Sequence, residues 1–168
     1  MIKLNSCWKN PGACREINFN DMKAVIQRVS GASVEVKGEP VASISDGMLV
    51  LAGVEEEDSE KDVSYIADKI AGLRIFNDKN GKMNLSIADT GGSVIIVSQF
   101  TLCSDCRKGR RPAFDNAMEP ALAAKLFNEL VDGINARGIK TKTGVFGAEM
   151  TVNISNAGPV TFILDSKK

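Results

Sequence analysis

Two amphipathic helical patterns, separated by groups of short strand patterns, constrain the fold of this chain more than any other feature. The first helix is predicted to follow Ser59, a favourable N-cap residue, with Asp62 in its first turn, where an acidic side chain complements the helix dipole. The second is predicted over Pro120–Arg137, since Pro suits a first turn and Gly138 suits the position after a helix end. Apolar residues recur at helical spacing in both segments: Val63, Ile66, Ala67, Ile70 and Leu73 in the first, and Leu122, Leu126, Phe127, Leu130, Val131 and Ile134 in the second.

Strand patterns occupy most of the remaining chain and are separated by Gly, Pro and Asp turns. They are predicted over Lys23–Val29, Ala32–Lys37, Val41–Ser45, Gly47–Val54, Arg74–Phe76, Lys82–Leu85, Ser93–Gln99, Ile139–Val145, Glu149–Ser155 and Val160–Leu164. This order favours an α/β fold: a single domain of mixed, barrel-like β-sheets in β/β/α layers, with the two main helices packed on one side. The regular alternation and glycine-rich fingerprint of a dinucleotide-binding fold are absent.

The first 21 residues differ in character from the rest of the chain. They are polar and irregular, whereas Met22 is followed directly by a strong strand pattern. We therefore predict an N-terminal extension over residues 1–21 and one domain over residues 22–168. No apolar stretch in the 168 residues approaches the roughly 20 that a membrane span requires, and the N-terminus lacks the apolar segment of a secretory signal.

The charge balance limits the classes of partner. With 21 basic and 21 acidic residues the formal net charge is zero, which argues against a protein that coats nucleic acid indiscriminately. One local exception is the loop Arg107–Pro112, which holds four cations and is a candidate for phosphate contacts. The alternative is an ordinary solvated loop.

The chain contains no histidine, which excludes a Ser-His-Asp triad, a histidine general base and most zinc sites. Of its four cysteines, Cys103 and Cys106 form a C-x-x-C, a spacing that also occurs in redox and zinc sites. No second such pair completes a tetrahedral site, so reduced thiols are the favoured interpretation and no metal is predicted.

Two segments place polar groups or bare backbone at the end of a strand pattern. Ser98–Leu102 follows the apolar run Val94–Val97 and offers hydroxyls, the Gln99 amide and backbone N–H groups that can bind an ester carbonyl or its oxyanion. Gly158-Pro159 is a candidate cis dipeptide with accessible backbone. From spacing alone, a strand end with locally bonded hydroxyls and an ordinary turn remain the alternatives.

Taken together, the motifs make the chain from Met22 onward resemble the D-aminoacyl-tRNA deacylases from end to end. The matching stretches are Met22–Val29, Ser98–Leu102, Lys108–Pro112, Gly144–Met150 and Asn156–Thr161. The resemblance implies a homodimeric, cytoplasmic hydrolase that needs no cofactor. It would remove D-amino acids, and glycine, mischarged onto tRNA, with tRNA rather than DNA as partner.

The resemblance also implies roles for individual residues. Ser98, Gln99, Phe100 and Thr101 would orient and hydrolyse the ester, and Phe146, Gly147 and Met150 would line the site of the terminal adenosine. Gly158 and Pro159 would enter the pocket of the other subunit as a cis dipeptide and exclude L-amino acids. Thr101 as the nucleophile and water attack assisted by the ribose 2′-OH remain alternatives for the chemical step, as does a non-catalytic module that binds the tRNA end. From the residues alone, Phe146 and Met150 also fit ordinary core positions.

Overall fold

The computed structural model describes residues 22–107 and 109–167, so the predicted extension over residues 1–21 lies outside the described residues. Within that range the chain forms a curved sheet, a small hairpin and three helices. The strands are β1 (Lys23–Val36), β2 (Glu39–Ile44), β3 (Gly47–Gly53), β4 (Phe76–Asn77), β5 (Met83–Leu85), β6 (Ser93–Ser98), β7 (Lys140–Thr143) and β8 (Thr151–Asp165), and the helices are α1 (Glu60–Gly72), α2 (Ile87–Thr90) and α3 (Pro120–Ala136).

Strand β1 organises the sheet because it is long enough to pair with three others. Its first half pairs antiparallel with β3, its second half with β2, and nearly its whole length with β8. Strands β3, β6 and β7 then follow in parallel. Lys142 of β7 donates to the carbonyl of Ser43 in β2 at 2.7 Å, although these strands stand at opposite ends of the order β2-β1-β3-β6-β7. The sheet therefore curls until its ends meet, which confirms the barrel-like prediction.

Both faces of the central strands are buried, which explains their continuous apolar sequences. Along β3 and β6, alternate residues such as Val50 and Ile96 pack against the helices, while Leu49 and Ile95 point into the barrel. Helices α1 and α3 contribute Ile70 and other residues of their apolar stripes to the core between the sheet and the helices. The β/β/α layering with two main helices on one side is confirmed.

Two strand predictions were wrong in the same way. Gly31 was expected to end a strand, but β1 runs through it with irregular register between Gln27 and Gly31. Likewise the predicted strands on either side of Gly158 form one continuous strand, β8. In both places the pairing of β1 with β8 changes register without ending. The sequence analysis also missed α2, which Ser86 and Asp89 begin with a reciprocal capping box.

None of the helices formed by residues 22–107 and 109–167 combines the length and the apolarity needed to cross a membrane.

A buried polar cluster joins the end of β3 to the start of α1. Glu55 is fully buried and pairs with Lys23. Asp58 accepts the backbone N–H of Glu55 at 2.6 Å through Oδ2, while its buried Oδ1 finds no hydrogen-bond partner within residues 22–107 and 109–167. Burial, reinforced by the negative charge of Asp62, raises the pKa of Asp58 to about 6. The folded protein therefore binds a proton at Asp58 more tightly than the unfolded chain does.

The sign of this shift predicts the effect of Asp58→Asn. Because the folded-state pKa is raised, the contribution of Asp58 to stability is lost as the pH rises from about 4 through about 6. Asn keeps an acceptor for the Glu55 N–H and carries no charge, so we expect it to stabilise the fold at pH 7.5 by about 1 kcal/mol after solvent screening. Denaturant unfolding at several pH values measures the difference, which should shrink toward pH 4. Asp115→Asn, at an exposed carboxylate, is the charge-matched control; an equal gain there would contradict the assignment.

Candidate functional site

A cavity of about 630 Å³ opens where β3 and β6 end, between the start of α3 and the loop that precedes β8. This volume is in the range of small-molecule sites. Its lining is mostly apolar, with Ala52, Val54 and Val97 on the sheet side and Ala123 and Phe127 on α3. Six of the predicted site residues line it: Ser98, Gln99, Phe100, Phe146, Gly147 and Met150.

The backbone after β6 is held tightly against β3. The N–H of Gln99 donates to the carbonyl of Ala52 at 2.8 Å, and the chain then enters a 3-10 turn over Phe100–Cys103. A Cβ on Gly53 would lie 2.9 Å from the carbonyl oxygen of Gln99 and 3.0 Å from Leu102 Cβ. Only glycine therefore allows this approach. The sequence analysis missed Gly53, for which the strand pattern carried no distinguishing signal.

Polar groups are concentrated in the first half of this turn. The amide of Gln99 donates to the hydroxyl of Thr101. Thr101 itself does not line the cavity, unlike the residues before it. The first N–H groups of a helical turn have no partner inside it, so those of Phe100 and Thr101 are left to acceptors outside the turn.

Cys103 lies underneath the turn and is buried. Its thiol donates to the carbonyl of Val54 at 3.4 Å, and burial raises its pKa to about 12. A thiol held in this protonated state is a poor nucleophile and a poor metal ligand. Cys106 is exposed, and neither it nor Cys103 forms a disulfide with another described residue.

The opposite wall is built around Met150. A Cβ on Gly144 would lie 2.4 Å from the Met150 sulfur, which also accepts the N–H of Val145 at 3.3 Å. Gly147 has φ of 73°, the left-handed conformation that favours glycine. Between them, Phe146 packs on Phe127 of α3 with ring centroids 5.7 Å apart. The loop thus contributes a methionine and an aromatic ring to the cavity lining.

The peptide bond Gly158-Pro159 is cis, as predicted, and lies within β8. Both residues are exposed and neither lines the cavity of its own chain. Arg28 of β1 supports this segment by donating Nε–H to the carbonyl of Ala157 at 3.1 Å and a second N–H to the carbonyl of Ile75 at 2.6 Å. The sequence analysis gave Arg28 no role of its own, because its two acceptors are backbone groups distant in sequence.

The basic loop, residues 107–112, follows the 3-10 turn in the chain. Paired backbone hydrogen bonds of 2.8 and 3.0 Å between Asp105 and Ala113 close its base. Arg107 is held by Asp105 through two side-chain bonds, whereas Arg110 and Arg111 are exposed. Lys108 lies outside the described residues.

Sequence similarity to known proteins identifies the family of this chain. The sequence profile of D-Tyr-tRNA(Tyr) deacylase matches residues 25–165. This chain belongs to that family. Curated D-aminoacyl-tRNA deacylases of Desulfatibacillum aliphaticivorans and Geobacter sulfurreducens are 57% and 56% identical to it, over 87% of this chain and 100% and 96% of theirs.

Two solved structures have a similar fold. One described as "c-Myc DNA Unwinding Element Binding Protein" is 40% identical, with a TM-score of 0.80 over 84% of this chain and 97% of its own. Another, described as a probable eukaryotic D-amino acid tRNA deacylase, is 14% identical with a TM-score of 0.77, over 86% of this chain and 99% of its own. At that identity the second shows a shared fold alone.

The close approach at Gly53 predicts a local effect of Gly53→Ala. The added methyl group would press on Gln99 and Leu102, so we expect a loss of about 1–3 kcal/mol in the free energy of unfolding together with displacement of the turn. Deacylation should fall more than tenfold at temperatures where the variant is fully folded. Gly31→Ala in the same sheet is the matched control, since its Cβ would meet nothing closer than 3.8 Å. Equal behaviour of the two variants would refute the positioning role.

Proposed function

We propose that the cavity binds the aminoacylated 3′ end of tRNA and hydrolyses its ester when the amino acid is of the D configuration. As a family member, the chain is a hydrolase of carboxylic ester bonds with aminoacyl-tRNA as its substrate. The observation that carries the residue assignment is the meeting of the Ser98–Phe100 segment with Phe146, Gly147 and Met150 around one cavity. In this proposal the first group orients the ester, and the second holds the terminal adenosine.

The lining favours hydrolysis by positioning rather than by an ionised nucleophile. Glu119 is the one titratable side chain among the lining residues, and its carboxylate caps α3 by accepting the N–H groups of Ala121 and Leu122 at 3.0 and 3.1 Å. The hydroxyl of Thr101 accepts a hydrogen bond from the Gln99 amide, which is not a base, so Thr101 would be a weak nucleophile. An aminoacyl ester is already activated. Backbone N–H groups of the 3-10 turn would stabilise the oxyanion, while the ribose 2′-OH assists attack by water.

Chirality would be imposed by a second copy of the chain. Gly158 and Pro159 do not line the cavity of their own chain, so in this proposal they contribute to the cavity of a neighbouring subunit. Among the described residues β8 pairs only with β1, and Ile163 on this strand is 76% exposed, which fits a surface that another copy covers. Backbone carbonyls of the inserted dipeptide would accept hydrogen bonds from the α-ammonium group of the substrate. They would also occupy the space that the side chain of an L-amino acid requires.

Such a sieve excludes substrates by shape, so one site would serve many D-amino acids, and glycine as well. The basic loop would contact tRNA phosphates beyond the cavity and would supply a salt-dependent contribution to binding. The cytoplasm, where aminoacyl-tRNA is used, is the proposed location.

A chirality assay with Gly158→Ala tests this proposal. Wild-type protein should release D-tyrosine from D-Tyr-tRNA at least 100-fold faster than L-tyrosine from L-Tyr-tRNA. The variant should lose at least tenfold in D-specific rate, because the methyl group fills the space reserved for the substrate. Within its own chain that methyl group meets only the flexible side chain of Asn156 at under 3 Å, so folding should be preserved.

The control is Gly72→Ala at the end of α1, where the added Cβ meets nothing within 4 Å. Binding of D-Tyr-tRNA without ester loss would instead identify a non-catalytic module. Equal hydrolysis of both configurations would refute the sieve.

The role of Thr101 is tested by Thr101→Ala. If the 2′-OH assists water, the variant should keep at least a tenth of the single-turnover rate, since it loses only the hydroxyl that receives the Gln99 amide. A substrate whose terminal ribose lacks the 2′-OH should then be nearly inert with both proteins. A loss beyond 1,000-fold in the variant, with the 2′-deoxy substrate still cleaved by wild type, would establish a threonine nucleophile.

A further inference from the structure

Two aromatic side chains are exposed side by side at the rim of the cavity. Phe100 is 58% exposed and Phe114 is 40% exposed, and their ring centroids lie 5.2 Å apart at an interplanar angle of 60°. Phe100 also lines the cavity, so this aromatic corner, defined as Phe100 and Phe114, continues the site outward. Contiguous exposed aromatic surface beside a binding site commonly marks a further contact with a ligand or partner.

The basic loop joins the two rings. The hydrogen-bonded pair Asp105–Ala113 closes the loop at its base. Phe114 follows Ala113 directly in the chain, and Phe100 begins the 3-10 turn that precedes Asp105. The loop itself carries four cations and one anion over residues 105–113. An apolar, π-rich surface therefore stands next to a concentration of positive charge.

This combination is what single-stranded nucleic acid requires. A positively charged loop follows the phosphates, while an aromatic ring receives the face of a base regardless of its identity. We propose that the aromatic corner binds the base of the nucleotide that precedes the terminal adenosine, stacked on one ring and bordered by the other, with the loop cations near its phosphate. The inference rests on the proposed function, which places the terminal adenosine in the cavity that Phe100 lines.

Two other occupants fit less well. The side chain of the amino acid would explain an apolar surface but leaves the adjacent positive charge without a role. A second copy of the chain would have to bury the cationic loop as well, whereas an RNA strand satisfies both features through one ligand.

The test compares substrates that differ only in the preceding nucleotide. D-Phe is attached to adenosine, to the dinucleotide CpA, and to a CpA analogue that keeps the phosphate and sugar but lacks the first base. Wild type should cleave D-Phe-CpA with kcat/KM about tenfold above D-Phe-adenosine, a gain within the range that one base stacked on an aromatic ring provides, and the abasic analogue should lose most of it. Phe114→Ala should reduce the gain to less than twofold and leave cleavage of D-Phe-adenosine unchanged.

Matched variants separate stacking from packing. Phe114→Trp should keep the gain, because it preserves an aromatic face, whereas Phe114→Leu should lose it while retaining apolar bulk. If Phe114→Leu lowered kcat/KM for D-Phe-adenosine as much as for D-Phe-CpA, the ring would only support Phe100, and the inference would fail. It would also fail if the effect followed the amino acid, differing between D-Phe and D-Ala esters, or if Phe114→Ala changed the sedimentation of the protein.

Binding of non-acylated CpA and adenosine to wild type and Phe114→Ala, measured by calorimetry, is independent of turnover. Tighter binding of CpA that is lost in the variant supports the stacking site even if no ester is cleaved, in which case the proposed function alone is wrong. Equal affinity for the two ligands in wild type would overturn the stacking site, whatever the enzyme hydrolyses.

Discussion

The parallel pairing of β3 with β6 is the constraint on which the site depends. Because the two strands run in the same direction, Ala52 and Ser98 stand opposite each other at the edge where both strands end. Their burial on both faces fixes this register, since a slip by one residue would exchange the side chains of two separate cores. The hydrogen bond from Gln99 to Ala52 extends the pairing by one residue and sets the start of the 3-10 turn. The position of the candidate oxyanion site is thus determined by core packing.

In the proposed mechanism the site needs no histidine, because the activated ester and the ribose 2′-OH of the substrate supply much of the reactivity. The buried groups near the turn are kept out of the chemistry: Cys103 is protonated by virtue of its burial, and Glu55 is bound to Lys23. Apart from the Glu119 carboxylate, which caps α3, the polar groups at the cavity are amide, hydroxyl and backbone, which can orient an ester and bind developing negative charge. Their effect depends on exact placement, so the close approach at Gly53 and the support beneath the turn matter more than the pKa of any side chain.

Much of this arrangement was accessible from the sequence, and its limits have physical causes. Periodicity located α1 and α3, and the apolar run before Ser98 identified β6 as a buried strand. The sequence predicts strand ends at Gly31 and Gly158, whereas both strands continue through these residues. Glycine is compatible with a strand end and with an irregular position inside a strand, so the residue type does not distinguish the two. The positions of Gly53 and Arg28 derive from contacts with backbone atoms distant along the chain. Such contacts leave no local pattern, so only the folded structure identifies these residues.

The exposure of Gly158 and Pro159 has a consequence for how selectivity and assembly are linked. If the sieve enters from a neighbouring subunit, an isolated chain holds a complete cavity for the terminal nucleoside but nothing that distinguishes the two configurations of the amino acid. Binding of the tRNA end and rejection of L-amino acids would then be separate properties, the first belonging to one chain and the second to the dimer. Arg28, which ties Ala157 to Ile75, would act on the second property alone, because its contacts orient the segment that is presented to the partner.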